Sequence, residues 1–146
     1  MFFNGKLGKL TVLFILGLFV LHAVATYTSL YWRILWFDTP MHFLGGFVVG
    51  LGAVWWMFFR DKFSLPKNLP WFYSLILILG VVALVGVLWE FYEFAVDRFI
   101  TRKEYINLTQ GGIIDNMKDL FMDLSGGLLV VLAFLHERKK HIGKQG

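Results

Sequence analysis

Asp115-Asn116-Met117-Lys118-Asp119-Leu120-Phe121-Met122-Asp123-Leu124-Ser125-Gly126-Gly127, running on through Leu128 to His136, is the stretch whose reading decides the fold. A helix that crosses a bilayer needs about 20 largely apolar residues. The uninterrupted apolar part, from Leu124 to His136, supplies only about 13. A crossing helix must therefore begin near Ile114 to Lys118, which carries Asp119 and Asp123 into the membrane-spanning part. Two carboxylates inside a span are the first sign of a built site, because an ionised side chain at that depth is costly and tends to be functional.

Three further stretches reach spanning length. Between Lys9 and Arg33 the only ionisable side chain is His22, and between Thr39 and Phe59 it is His42. Pro40 suits a first helical turn, where a missing N–H is harmless. Ser64-Leu65-Pro66-Lys67-Asn68-Leu69-Pro70 reads as a loop, and a third apolar run continues from Trp71 past Trp89. The expected architecture is all-α, a single integral membrane domain over residues 1–146. Its four spans fall at about 10–32, 40–59, 71–95 and 115–136. Ala23-Val24-Ala25 resembles a signal-peptide cleavage site, yet the apolar run is long and aromatic residues continue beyond it, so the first span is expected to be retained.

Composition agrees. Apolar residues make up 58% of the 146 and charged residues only 16%, outside the range of ordinary soluble domains. The net charge of +4 sits in short loops and tails, without the basic amphipathic arm of a nucleic-acid binder, so no nucleic-acid partner is expected. With no cysteine, disulfides, thiolate metal sites and cysteine nucleophiles are excluded. Lysine and arginine divide nine to five: Lys6, Lys9, Arg60, Lys62, Lys67, Arg138, Lys139, Lys140 and Lys144 against Arg33, Arg98, Arg102, Lys103 and Lys118. The positive-inside rule then puts both termini in the cytoplasm. Tyr27, Tyr31, Trp36, Trp89 and Tyr92 mark the outer boundary, and Trp55, Trp56, Trp71 and Tyr73 the inner one.

Eight of the ten acids fall on the outer half, and several share helix faces: Asp38 with His42; Glu90, Glu93 and Asp97; Asp115, Asp119 and Asp123. Counting from the inner boundary at about 1.5 Å per residue puts His42 and Asp119 roughly 26 Å up, and Glu90 roughly 28 Å. Three helices thus deliver polar side chains to one level, with Asp123 about one turn deeper. Carboxylates with one imidazole suit a hard or borderline divalent cation, namely Mg²⁺, Mn²⁺, Ca²⁺, Zn²⁺ or Fe²⁺. His42, Glu90, Glu93, Asp119 and Asp123 are the expected ligands and Asp38 the general base, although a helix-capping role would also explain Asp38. With so many acids two ions can be accommodated, an arrangement suited to phosphate esters. Arg98, Arg102 and Lys103 are the candidate anion-binding residues, or else they balance Asp97 and Glu104. His22 stands by itself and is assigned no role. Gly46 and Gly50 of the second span and Gly126 and Gly127 of the fourth allow close helix packing, within the chain or between copies of it.

Three segments also carry a family resemblance: Asp38-Thr39-Pro40-Met41-His42, Trp89-Glu90-Phe91-Tyr92-Glu93, and Asp115-Asn116-Met117-Lys118-Asp119-Leu120-Phe121-Met122-Asp123 ahead of Gly126. In this order they resemble the YjdF-type family of bacterial inner-membrane proteins and, more distantly, VanZ-like proteins. The resemblance implies a prokaryotic inner-membrane location and emphasises the same acids and His42. It brings no established activity from the YjdF type. VanZ-like proteins are associated with teicoplanin resistance, but Glu93 or Asp97 stands where they tend to carry an amide. The chemistry expected is metal-assisted hydrolysis or transfer on an envelope lipid or lipid-linked phosphate, with membrane lipids as partners. A non-enzymatic cation or proton pathway and a metal-stabilised envelope accessory protein are the alternatives.

Overall fold

The computed structural model of the chain describes residues 6–60, 64–66, 68–101 and 112–142. The described residues form helices and connecting turns, without a strand. In chain order the helices are α1 (Lys6–Tyr27), the short α2 (Leu30–Arg33), α3 (Asp38–Phe59), α4 (Trp71–Val96) and α5 (Ile113–Ile142). A π-helical turn, Asp97–Thr101, prolongs α4. Four helical stretches are long and apolar enough to cross a membrane: Lys6–Tyr27, Asp38–Phe59, Trp71–Phe99 and Ile113–Lys140. The protein is an integral membrane helical bundle.

Helix α5 begins at Ile113, ahead of Asp119 and Asp123, as bilayer thickness requires. It continues past His136 to Ile142, because its basic last turns are favoured at a helix C-terminus and Arg138 is anchored there. The Arg138 guanidinium donates to the Leu69 carbonyl at 2.6 Å and lies 3.3 Å from the Ser74 hydroxyl, tying the end of α5 to the start of α4. The first span departs from expectation at its other end. Rather than running to residue 32, α1 stops at Tyr27, and Ser29, at φ 57°, turns the chain into α2. Thr26 and Thr28 hydroxyls donate to the carbonyls of His22 and Val24 at 2.9 and 2.7 Å, local bonds that favour a helix ending.

The core lies where α3, α4 and α5 meet, in the half of the bundle away from the acids. Val54 and Phe58 of α3, Ile78 of α4 and Val131 and Phe134 of α5 fill it, with the Phe58 and Phe134 rings 4.8 Å apart. The outer surface is apolar, Leu16 and Phe19 on α1, Leu84 and Phe91 on α4 and Phe121 and Leu132 on α5 all being exposed, which suits a lipid surround.

Close approach of α3 and α5 depends on glycine. A Cβ at Gly46 would strike the Asp123 backbone, and one at Gly126 would strike the Phe43 carbonyl. Gly50 faces Gly127, whose Cα would lie 3.3 Å from a Cβ there. These glycines serve packing within the chain. Side-chain bulk would separate the helices and pull apart whatever their polar ends hold in common.

Candidate metal centre

Three buried stripes run along facing helices and end in polar residues. On α4 the stripe is Ser74, Ile78, Val82, Gly86, Glu90 and Glu93, spaced by four and finally three. On α3 it includes His42, Gly46 and Gly50. On α5 it runs from Asp119 and Asp123 to Gly126 and Val130. The start of α3, the end of α4 and the start of α5 share one end of the bundle, so the stripes converge there. His42, Glu90, Glu93, Asp119 and Asp123 are 3–7% exposed, a degree of burial that acids reach only when something compensates them. The structure brings these side chains, from three helices, to one end of the bundle.

His42 is the hub. Its Nδ1 lies 3.3 Å from Oδ2 of Asp123, and its Nε2 lies 3.7 Å from Oδ1 of Asp38. Ligand atoms of Asp38, His42 and Asp119 lie within 4.8 Å of one another, and so do those of His42, Glu90 and Glu93. A neutral imidazole has one lone pair, so the two groups describe a single centre around His42. Three side-chain atoms in it, Nε2 of His42, Oε1 of Glu90 and Oδ1 of Asp119, are buried without a hydrogen-bond partner among the described residues. Such atoms cost about 1–3 kcal/mol each, and more when charged, unless an ion or water meets them. Each comes from a different helix.

The surrounding residues are arranged unequally. The Asp38 side chain is 20% exposed where that of His42 is 4%, so Asp38 stands at the mouth of the site as the first residue of α3. The Trp89 indole N–H donates to Oε1 of Glu93 at 3.0 Å. Lys118 pairs with Asp115 and lies 3.7 Å from Oδ1 of Asp119, supplying a cation at the rim. Arg98 is exposed on the π-helical turn, while Arg102 and Lys103 lie outside the described residues.

Sequence reading missed four participants. Gly86 provides room for a carboxylate, since a Cβ there would sit 2.6 Å from Oδ2 of Asp123. Its signal was present, four residues before Glu90 on the same stripe. His22, Tyr31 and Trp89 form a cluster beside the acids: His22 Nδ1 lies 2.7 Å from the Tyr31 hydroxyl, and the His22 ring meets Trp89 edge-on at 5.4 Å. Tyr31 is brought back by the turn at Ser29, which no periodic pattern announces.

Comparison with known proteins adds kinship. Residues 1–140 match the family described as "Predicted membrane protein (DUF2238)". The chain belongs to this family. The resemblance to YjdF-type proteins agrees with DUF2238 membership, whereas the VanZ-like resemblance finds no support in these comparisons. A DUF2238 assignment carries no activity in its description. An uncharacterised protein of Thermotoga maritima is 32% identical over 107 residues, 73% of this chain, and the chain spans about half, 52%, of that relative's length. No solved structure matches.

Proposed function

We propose that this protein binds a divalent metal ion at the His42 centre and uses it for hydrolysis or transfer on a phosphate-bearing envelope lipid, at the outer face of a prokaryotic inner membrane. The observation that carries this reading is the convergence, from three helices, of three buried atoms that make no hydrogen bond among the described residues, His42 Nε2, Glu90 Oε1 and Asp119 Oδ1. Asp123 supports it from the other side of the ring. A carboxylate at Nδ1 holds the proton there and leaves the lone pair on Nε2, the arrangement in which carboxylates orient metal-ligating histidines. In this reading His42, Glu90, Glu93 and Asp119 hold metal, and Asp123 joins them or acts through the imidazole. Asp38, wetter than the rest and beside Nε2, accepts a proton from attacking water.

Charge supports the same picture. Asp38, Glu90, Glu93, Asp119 and Asp123 gather around one imidazole, with Lys118 at the rim 3.7 Å from Asp119, and buried carboxylates left unbalanced would cost several kcal/mol. Two divalent ions would balance the excess, and paired metals suit phosphoryl chemistry. A bound ion polarises a phosphoryl oxygen and acidifies water. A cation or proton pathway has less support, because Val54, Phe58, Ile78 and Val131 close the bundle beneath the acids with apolar contacts.

The test is elemental analysis of detergent-purified protein, wild type beside His42→Ala and Asp119→Ala, with circular dichroism to confirm helicity. We expect near-stoichiometric divalent metal in the wild type and at least about tenfold less in each variant. Equally negligible metal in all three proteins, loaded or not with excess Mg²⁺, Mn²⁺ or Zn²⁺, would remove the metal from the account.

A further inference from the structure

A cleft of about 300 Å³ opens between α1 and α4 over the surface of α3. Helix α1 leans chiefly on α3, which leaves the space between it and α4 unfilled. Leu18, Phe19, Val82 and Val85 contribute apolar wall, and the other end is lined by His22, Tyr31, Asp38, His42, Glu93 and Asp123. Phe19 is 61% and Val85 38% exposed, so the walls face outward between two spanning helices. Both helices are membrane spans, and what lies against their outward faces at that depth is hydrocarbon.

We infer that this cleft admits one hydrocarbon chain of a membrane lipid sideways from the bilayer and brings its phosphate headgroup to the His42 centre, with His22 and Tyr31 as the headgroup-recognising pair. The headgroup half rests on the metal reading above; the chain half stands on the cleft alone. The volume is at the lower end of the range for ligand pockets, about 300–1,000 Å³, and suits one chain in preference to two. Burying a hydrocarbon chain is favourable when it leaves water, but a chain moving from bilayer to cleft leaves no water behind. Selection must therefore come from the polar end.

There the His22–Tyr31 hydrogen bond has a useful property. If the phenol donates to Nδ1, the neutral ring carries its proton on Nε2; if Nδ1 donates, the phenol O–H is released. In either tautomer one donor remains for an oxygen of the incoming group. Burial, together with the carboxylates of Asp38 and Glu93, raises the Tyr31 pKa well above its ordinary value, so the phenol keeps its proton. Trp89 fixes the pair from below, its ring against His22 and its N–H on Glu93. One free donor on one side and a metal held at the His42 centre on the other would cradle phosphate oxygens.

The experiment uses full-length protein in nanodiscs of phosphatidylethanolamine and phosphatidylglycerol, with a dodecyl phosphate carrying a terminal diazirine as the probe. Photolysis should label residues along the cleft wall, and unlabelled dodecyl phosphate should compete the label away. Val85→Trp and Leu18→Trp, which fill the cleft from opposite walls, should each cut the labelling by about tenfold while metal content stays at the wild-type level. Tyr31→Phe should weaken competition by dodecyl phosphate and leave competition by dodecanol unchanged. Label spread evenly over the outer faces of α1, α4 and α5, insensitive to competitor and to both tryptophans, overturns the inference. Competition by dodecanol as strong as that by dodecyl phosphate overturns its headgroup half. Cleft labelling in protein that takes up no metal even from excess Mg²⁺, Mn²⁺ or Zn²⁺ supports the chain half and sinks the metal reading alone.

Discussion

Asp123 shows how one side chain can be judged by what it touches. It sits under Gly86, beside Gly45 and against Nδ1 of His42, so its carboxylate is enclosed by two glycines and an imidazole. An amide has nearly the same shape and keeps one oxygen, but it has no charge with which to hold the Nδ1 proton or favour the imidazole's basicity. Asp123→Asn is therefore expected to leave the fold intact and weaken metal binding by about 10–100-fold, the usual cost of losing an orienting carboxylate. Titration of Mn²⁺ into metal-stripped protein, followed by calorimetry, would measure it. Unchanged affinity in the variant would remove Asp123 from the centre. The acid itself was legible from sequence, because a helix starting after it would be too short to cross. Its contact with one particular nitrogen was not, because helical spacing assigns a face but leaves rotamers open.

The element that sets the site's dimensions is the crossing of α3 and α5. Backbones at Gly46 and Gly126 approach so closely that any Cβ meets the other helix's main chain, which cannot move aside like a flexible side chain. Gly17 offers the comparison, since an added Cβ there would meet nothing within 4 Å. Gly46→Ala should destabilise the bundle by about 1–3 kcal/mol, the range for overpacking, and lower its metal content as His42 and Asp123 separate. Gly17→Ala should be neutral or slightly stabilising, alanine being the better helix former by about 0.8–1.0 kcal/mol. Thermal unfolding in detergent would compare them, and equal midpoints for the two variants would show that the crossing tolerates bulk. Sequence reading found the glycines and left open whether they pack helices within the chain or between copies of it. It carried the first span past Tyr27, because apolar continuity through Tyr31 hides the left-handed turn at Ser29 that brings Tyr31 to His22.

At the scale of the whole molecule, orientation decides which compartment the acids and the cleft mouth face. Four spans among the described residues would put the two ends of the described chain on one side. The end of the bundle away from the acids carries Arg60 stacked 4.1 Å from the Trp56 ring, and Arg138 donating to the Leu69 carbonyl. At the acidic end Lys118 is engaged by Asp115 and Asp119, but acidic neighbours weigh little in topogenesis, so its charge still counts in the division. The nine-to-five division of lysine and arginine in the sequence therefore governs. A C-terminal green fluorescent protein fusion expressed in a bacterial host should fluoresce, and a C-terminal alkaline phosphatase fusion should be inactive, since each reporter works on one side only. Because the minority of five basic residues includes Arg33, Arg102 and Lys103, replacing those three with glutamine should strengthen the pattern, whereas neutralising Arg138, Lys139 and Lys140 should weaken or reverse it. An active phosphatase fusion on the unmodified chain would turn the bundle over and aim the acidic centre at the cytoplasm, where its substrate would have to be a lipid of the inner leaflet.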